Sequence, residues 1–256
     1  MIDAAFRIRA EVALADVERR EGVRVLLGIE SGSRAWGFAS QDSDYDVRFI
    51  YLRPLDDYLL VTPGRDVIEP PVDALLDLGG WDVRKALGLM VQSNAVALEW
   101  LASPVVYRQE PGVVAELTTL PRGAAHLPAL EYHYDRLARA AWSAGADGVM
   151  RLKSYSYALR PALALLWLRQ RGTPPPMDLR ALLSAGVAPP AVAARIEALR
   201  RQKAAATEAD LTPRLPALDV FLAGVLETPA PRPAPWDQAP ASMMADRQFR
   251  RLLGLR

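Results

Sequence analysis

Apolar side chains near the start of the chain recur at helical spacing. Asp3–Glu21 reads as an amphipathic helix with Phe6, Val12 and Val17 among its apolar positions, and Gly22 breaks it. Val23–Gly28 is a β-branched and leucine run of strand length. Ser31–Asp44, rich in Gly, Ser and Asp, is a loop or a short helical turn. Tyr45–Tyr51 then alternates, with Val47, Phe49 and Tyr51 on one face and Asp44, Asp46, Arg48 and Ile50 on the other. Pro54–Pro71 is loop-like around a short strand at Val67–Ile68. Asp73–Leu78 alternates again, and Gly79-Gly80 is expected to end it.

Asp82 is placed to cap a helix reaching about Ser93. Asn94 interrupts, and a second short helix runs through Leu101. Beyond Tyr107 the period changes from two to 3.6. Leu130–Ala144, Met150–Arg171, Pro190–Ala206 and Leu215–Leu226 all read as helices. Thr228–Ala241 is proline-rich, and Met243–Leu255 suits a small basic helix. The pattern predicts an α+β catalytic domain over residues 1–107, an all-helical domain over 108–227, and a Pro-rich linker and tail over 228–256.

Composition narrows the chemistry. About half of the 256 residues are apolar, enough for a sizeable core, yet no apolar run approaches the ~20 residues of a membrane span. The chain has no cysteine, which excludes disulfides, thiolate nucleophiles and cysteine–zinc sites. Met1–Ala10 carries Asp3, Arg7 and Arg9 and lacks the apolar core of a secretion signal, so a cytoplasmic location is expected. His126 and His133 are the only imidazoles, and neither has a second ligand nearby in sequence. Charge is uneven. Residues 1–110 hold 12 basic and 18 acidic side chains, and the remainder holds 19 and 12. An acidic half suits divalent cations and a basic half suits phosphates, although a codon-driven excess of arginine and alanine would give the same bias.

One stretch concentrates the chemistry. Gly28-Ile-Glu-Ser-Gly-Ser-Arg-Ala-Trp-Gly-Phe-Ala-Ser-Gln-Asp-Ser-Asp-Tyr-Asp-Val-Arg-Phe-Ile-Tyr51 delivers a strand into Ser31-Gly32-Ser33, then a ten-residue spacer, then Asp44 and Asp46 two apart on a strand. Glycine permits close approach of backbone to an anion, and serine adds a hydroxyl donor. Side chains two apart on a strand leave the same face. Adjacent carboxylates repel unless a cation lies between them, so the pair suits an oxygen-liganded ion such as Mg²⁺ or Mn²⁺. A Gly-Ser turn or an Asp-x-Asp turn alone is commonplace, whereas the ordered combination is specific. Arg48 shares the face of the pair, where it can bind a carboxylate or touch phosphate. Trp36 and Phe38 suit packing better than base stacking.

This segment resembles the signature of the polymerase-beta-like nucleotidyltransferase superfamily, in which Gly-Ser precedes an Asp-hydrophobic-Asp strand. More narrowly, Gly-Ser-Arg-Ala-Trp-Gly-Phe38 and Ser43-Asp-Tyr-Asp-Val-Arg-Phe-Ile-Tyr51 resemble the RNA repair pathway polymerase-beta family. So do Gly80-Trp-Asp-Val-Arg-Lys-Ala-Leu87, Ser93-Asn94, Glu99-Trp-Leu101, Ser103-Pro104, Lys153-Ser-Tyr-Ser-Tyr-Ala-Leu-Arg-Pro161 and Pro175-Pro-Met177. The likeness runs from Val23 to Leu183 and departs at Ala95, where proline is expected after the asparagine.

The resemblance implies a small mixed sheet with helices, a metal-dependent transfer of NMP from a nucleoside triphosphate such as ATP to a hydroxyl acceptor, and release of pyrophosphate. The family name points to an RNA end as the acceptor. Transfer to a protein or small molecule, or a binding module that keeps the fold without catalysis, are the alternatives. Asp44 and Asp46 would be catalytic metal ligands, joined by a third carboxylate. Asp77 matches the family position best, with Asp82 and Asp73 as competitors. Gly32 and Ser33 would hold phosphates, with Arg34 and Ser43 as further nucleotide-binding candidates, although Ser43 also suits a cap on the turn before the strand. Lys153, Tyr157 and Arg160 share a helix face at steps of four and three. The resemblance implies Lys153 for the triphosphate and Tyr157 for the base, against a helix whose tyrosines simply fill a core.

Overall fold

A computed structural model describes residues 2–70, 75–143 and 148–255. In chain order the elements are α1 (Ala4–Glu21), β1 (Arg24–Glu30), α2 (Gly32–Trp36), β2 (Tyr45–Leu52), α3 (Leu55–Tyr58), β3 (Val67–Ile68), β4 (Leu76–Asp82), α4 (Val83–Val91), α5 (Ala95–Leu101), β5 (Val106–Gln109) and α6 (Pro111–Ala124). They continue with α7 (Leu127–Trp142), β6 (Val149–Arg151), α8 (Leu152–Arg171), α9 (Leu179–Ser184), α10 (Pro190–Ala204), β7 (Leu211–Pro213), α11 (Pro216–Val225) and α12 (Ala239–Leu252). The chain divides into two compact units. The first holds Met1–Gly32, Asp44–Ala125 and Trp236–Arg256, and the second holds Ser33–Ser43 and His126–Pro235.

The first unit is built on a mixed five-stranded sheet of order β3-β4-β2-β1-β5. β1 runs antiparallel to β2 and β5, whereas β2 and β4 are parallel. Helix α1 starts at an Asp3 cap and stops at Gly22, whose φ of 63° suits a residue without Cβ. It buries Phe6, Ala10, Leu14 and Val17, a stripe at helical spacing, while Val12 faces solvent. That stripe packs with Val47, Phe49, Tyr51 and Leu78 in the core. The helix comes so close to the sheet that a Cβ on Gly28 would lie 2.6 Å from a Leu14 methyl.

The inward face read for β2 is the one observed, with Val47, Phe49 and Tyr51 buried in that core, but burial stops alternating after Phe49, where Ile50 on the other face is buried too. In β4 the expectation is corrected. Gly79-Gly80 does not end the strand, which runs on to Asp82. The Phe49 ring lies across Gly80, where a Cβ would sit 2.2 Å from a ring carbon, so the glycine is a packing requirement inside a paired strand. Asp82 caps α4 and Asn94 caps α5, as their positions imply. Ala95 begins α5 without proline. Helix α12 packs on α4 and α6 in this unit, with Phe249 edge-on to Tyr58 and the Gln248 amide donating to the Glu116 carbonyl at 2.7 Å.

In the second unit α8 is central and α7 lies along it. Buried on α8 are Leu152, Tyr155, Leu159, Arg160, Leu163 and Leu165. The expectation of an all-helical second half is corrected by an antiparallel ribbon of β6 and β7 that pairs Val149 with Pro213 and Arg151 with Leu211. Three-residue strands are too short to show a period, and their partners are far apart in sequence. Met150 therefore sits in a strand, and α8 starts at Leu152.

Candidate active site

β1 enters the site with an acidic side chain that composition gives no reason to bury. Glu30 is fully enclosed at the end of the strand. One oxygen accepts the Asp46 backbone N–H at 3.0 Å and the other accepts the Tyr107 hydroxyl at 2.6 Å. Burial and this carboxylate push the Tyr107 phenol well above its usual range, so it remains a donor. The Ser31 N–H closes the same junction on the Asp46 carbonyl at 2.7 Å. The beginning of β2 is thus tied to the end of β1 by two polar contacts, and Tyr107 ties β5 to the same carboxylate.

Gly32 follows directly, with φ of 59°, and a Cβ there would fall 1.9 Å from an Asp46 carboxylate oxygen. Both the left-handed backbone and the lack of space demand glycine at this position. In the parallel register Asp46 stands opposite Asp77, so the two carboxylates project side by side from one face. The Arg48 guanidinium lies between them, 2.6 Å from Asp77 and 3.4 Å from Asp46, and also donates to the Asp77 carbonyl at 3.0 Å. Asp44 is exposed and lies just before β2, not on the strand that the spacing predicts it to share with Asp46, because pairing with β4 begins at Tyr45.

Asp82 is held elsewhere. Strand parity sends it to the opposite face from Asp77. It is 3% exposed and accepts the Arg84 N–H at 2.8 Å and the Tyr58 hydroxyl at 3.0 Å. Burial raises its pKa despite those donors. Asp73 lies outside the described residues. Among the described residues no three acidic or imidazole side chains form a ready-made metal cluster. What the sheet does assemble is a pair of carboxylates, oxygen donors of the kind a divalent ion takes, with the Arg48 guanidinium between them.

The other candidates belong to the second unit. The Ser33 carbonyl accepts the Phe38 N–H at 2.8 Å, and the Arg34 guanidinium donates to the Ser43 carbonyl, closing the segment on itself. The Ser43 hydroxyl accepts the Ser40 N–H at 3.0 Å, as a cap on that turn would. Trp36 meets the Tyr157 ring edge-on at 5.0 Å, and Arg160 stacks its guanidinium 5.2 Å from the Trp36 ring. Trp36 and Phe38 are therefore packing residues, and the shared face of Lys153, Tyr157 and Arg160 looks onto the 33–43 segment and Glu208.

Glu208 is the residue that sequence reasoning missed here. It accepts the Ser40 and Ser43 hydroxyls at 2.8 Å each and pairs with Lys153 and the fully buried Lys203 at 3.1 Å each. Burial works against its charge, but the two hydroxyls and two ammonium groups outweigh it and hold its carboxyl down at about 2. It stands 165 residues from Ser43, and no local pattern marks it. Glu30 at least left a trace, as a lone acid closing an apolar strand run.

The sequence profile of the RNA repair pathway DNA polymerase beta family matches residues 6–251. The chain belongs to this family. It is accordingly a polymerase-beta-like nucleotidyltransferase. A relative, the uncharacterized protein YcgL of Bacillus subtilis (strain 168), is 41% identical over 215 residues, covering 84% of this chain and 83% of its own. Among solved structures, a nucleotidyltransferase-like protein from Exiguobacterium sibiricum 255-15 aligns with a TM-score of 0.32 at 12% identity, over 97% of this chain and 74% of that one. No helix among the described residues is long and apolar enough to cross a membrane.

Proposed function

We propose that this member of the RNA repair pathway DNA polymerase beta family transfers NMP from a nucleoside triphosphate to a hydroxyl acceptor, with an RNA end as the first acceptor to test. The observation that carries the reading is the register of β2 and β4, which sets Asp46 beside Asp77 on one face with Arg48 between them. Asp44, Asp46 and Asp77 are assigned as the ligands of Mg²⁺ or Mn²⁺. Once bound, such an ion would neutralise phosphate charge and lower the pKa of the attacking hydroxyl.

The chain's own groups supply the rest. Gly32 leaves the space beside Asp46 open, and Ser33, Arg34, Ser43, Lys153 and Tyr157 are assigned to the nucleotide. The acceptor oxygen attacks the α-phosphorus as the bond to the β-phosphate oxygen breaks. Pyrophosphate leaves, and the hydroxyl proton passes to Asp77 as general base. Most of the acceleration comes from alignment and charge complementarity. The residues 1–107 carry the chemistry in this reading, and a cytoplasmic location accords with the cysteine-free composition.

Incubation with each α-labelled nucleoside triphosphate, Mg²⁺ or Mn²⁺, and a panel of RNA ends, proteins and small hydroxyl compounds tests it directly. Label should move to an acceptor with stoichiometric pyrophosphate. Persistent absence of transfer across the panel, with nucleotide still bound, would move the assignment to a binding module.

A further inference from the structure

Two ammonium groups and two hydroxyls of the second unit converge on a single internal carboxylate. Lys203 is fully buried and reaches both Ser40 and Glu208 at 3.1 Å, while Lys153, whose side chain is 45% exposed, reaches the other Glu208 oxygen at 3.1 Å. The turn bearing Glu208 is fixed independently. Its N–H donates to the Asp42 carboxylate at 3.0 Å, and the Gln41 N–H donates to the Ala206 carbonyl at 3.2 Å. One Glu208 oxygen therefore serves the buried lock with Ser40, Ser43 and Lys203, and the other is spent on Lys153.

We propose that Glu208 is a positioning residue whose carboxylate takes, beside Lys153, the place a polyphosphate oxygen would take, so that an incoming triphosphate competes with this carboxylate for the lysine. The inference rests on the assignment of Lys153 to the triphosphate. Lys203 offsets the Glu208 charge inside the fold, and Lys153 is the more exposed of the two lysines. The carboxylate stays ionised throughout the physiological range, because the groups around it hold its pKa at about 2. The competing carboxylate is thus charged whenever a triphosphate arrives.

The sign of the effect separates this role from a purely structural one. Loss of a structural tie would weaken binding, whereas loss of a competitor strengthens it. The probe is inorganic tripolyphosphate with Mg²⁺, which carries no base, titrated calorimetrically into the full-length protein. Lys153→Met should weaken its binding about tenfold. Glu208→Gln should tighten it about threefold or more, and the gain should vanish in the Lys153→Met background.

Glu208→Gln leaves the Lys203 charge buried. If that variant does not fold, Lys203→Met/Glu208→Gln removes the buried pair together and should show the same tightening. An unchanged or weaker affinity in a folded Glu208 variant, alongside a weakened Lys153→Met, overturns the inference and spares the Lys153 assignment. An unaffected Lys153→Met overturns that assignment itself.

Discussion

At the scale of single residues, the site separates carboxylates by the company they keep. Asp46 and Asp77 are partly exposed and share Arg48, whereas Asp82 is buried and committed to a helix cap and a tyrosine. Replacing Asp44 and Asp46 together by Asn should abolish Mg²⁺-dependent nucleotide binding, as read by calorimetry with and without the ion. Asp77→Asn should lower transfer at least a hundredfold, with a stability change under about 1 kcal/mol because its ion pair is solvent-accessible. Asp82→Asn should preserve transfer, since Asn also caps helices, and Asp82→Ala should cost about 1–2 kcal/mol of stability while sparing metal binding. The reverse pattern, with Asp82→Asn dead and Asp77→Asn active, would reassign the third ligand.

At the scale of elements, the two adjacent glycines of β4 have opposite surroundings. Beyond Gly80 lies the Phe49 ring, and beyond Gly79 the nearest atom is an Arg48 nitrogen at 3.6 Å from a built Cβ. Gly80→Ala should destabilise the protein by about 1–3 kcal/mol through overpacking. Gly79→Ala should be neutral or stabilising by up to about 1 kcal/mol, because alanine loses less entropy in a strand. Urea unfolding of both variants checks this, and equal effects would show that the strand does not continue through the pair. These glycines also show the limit of local reading. A Gly-Gly dipeptide is a reasonable strand stop by composition, and only the aromatic ring of the neighbouring strand makes it a strand interior.

At the scale of the whole molecule, stability should respond to acid through Glu208. Its folded pKa of about 2 lies below the ordinary carboxylate value, so its contribution is complete above about pH 4.5. That contribution drains away as pH falls from there toward 2. Melting curves from pH 6 to pH 2 should therefore show a loss over that window that is visibly smaller in a folded Glu208→Gln variant. A wild-type curve no steeper than the variant's would remove the carboxylate from the account.

The first unit also depends on a segment that local pattern places in a tail. α12 returns to α4 and α6, where Gln248 is buried against Glu116 and Thr119. A basic amphipathic helix is legible there from its own residues, but its docking surface lies more than 100 residues earlier, so nothing local announces it.

Periodicity by itself determined the α1, β2, α4 and α5 elements, the mainly helical character after β5 apart from the β6–β7 ribbon, and the shared face of Asp46 and Arg48. Each of these depends only on spacings of two or of three to four along the chain. The Gly32 approach to Asp46 was equally legible, because a close backbone approach is a local demand, whereas the shared strand read for Asp44 and Asp46 is not observed, since Asp44 lies before β2. Tertiary structure decided the rest. Parallel pairing set Asp77 beside Asp46 and turned Asp82 to the other face. Burial chose Glu30 as the clamp on β2, and the fold brought Glu208 to Lys153 and Ser43 from far along the chain. Long-range partners of this kind leave no local spacing, since they are selected by what the packed surfaces bring within hydrogen-bond reach.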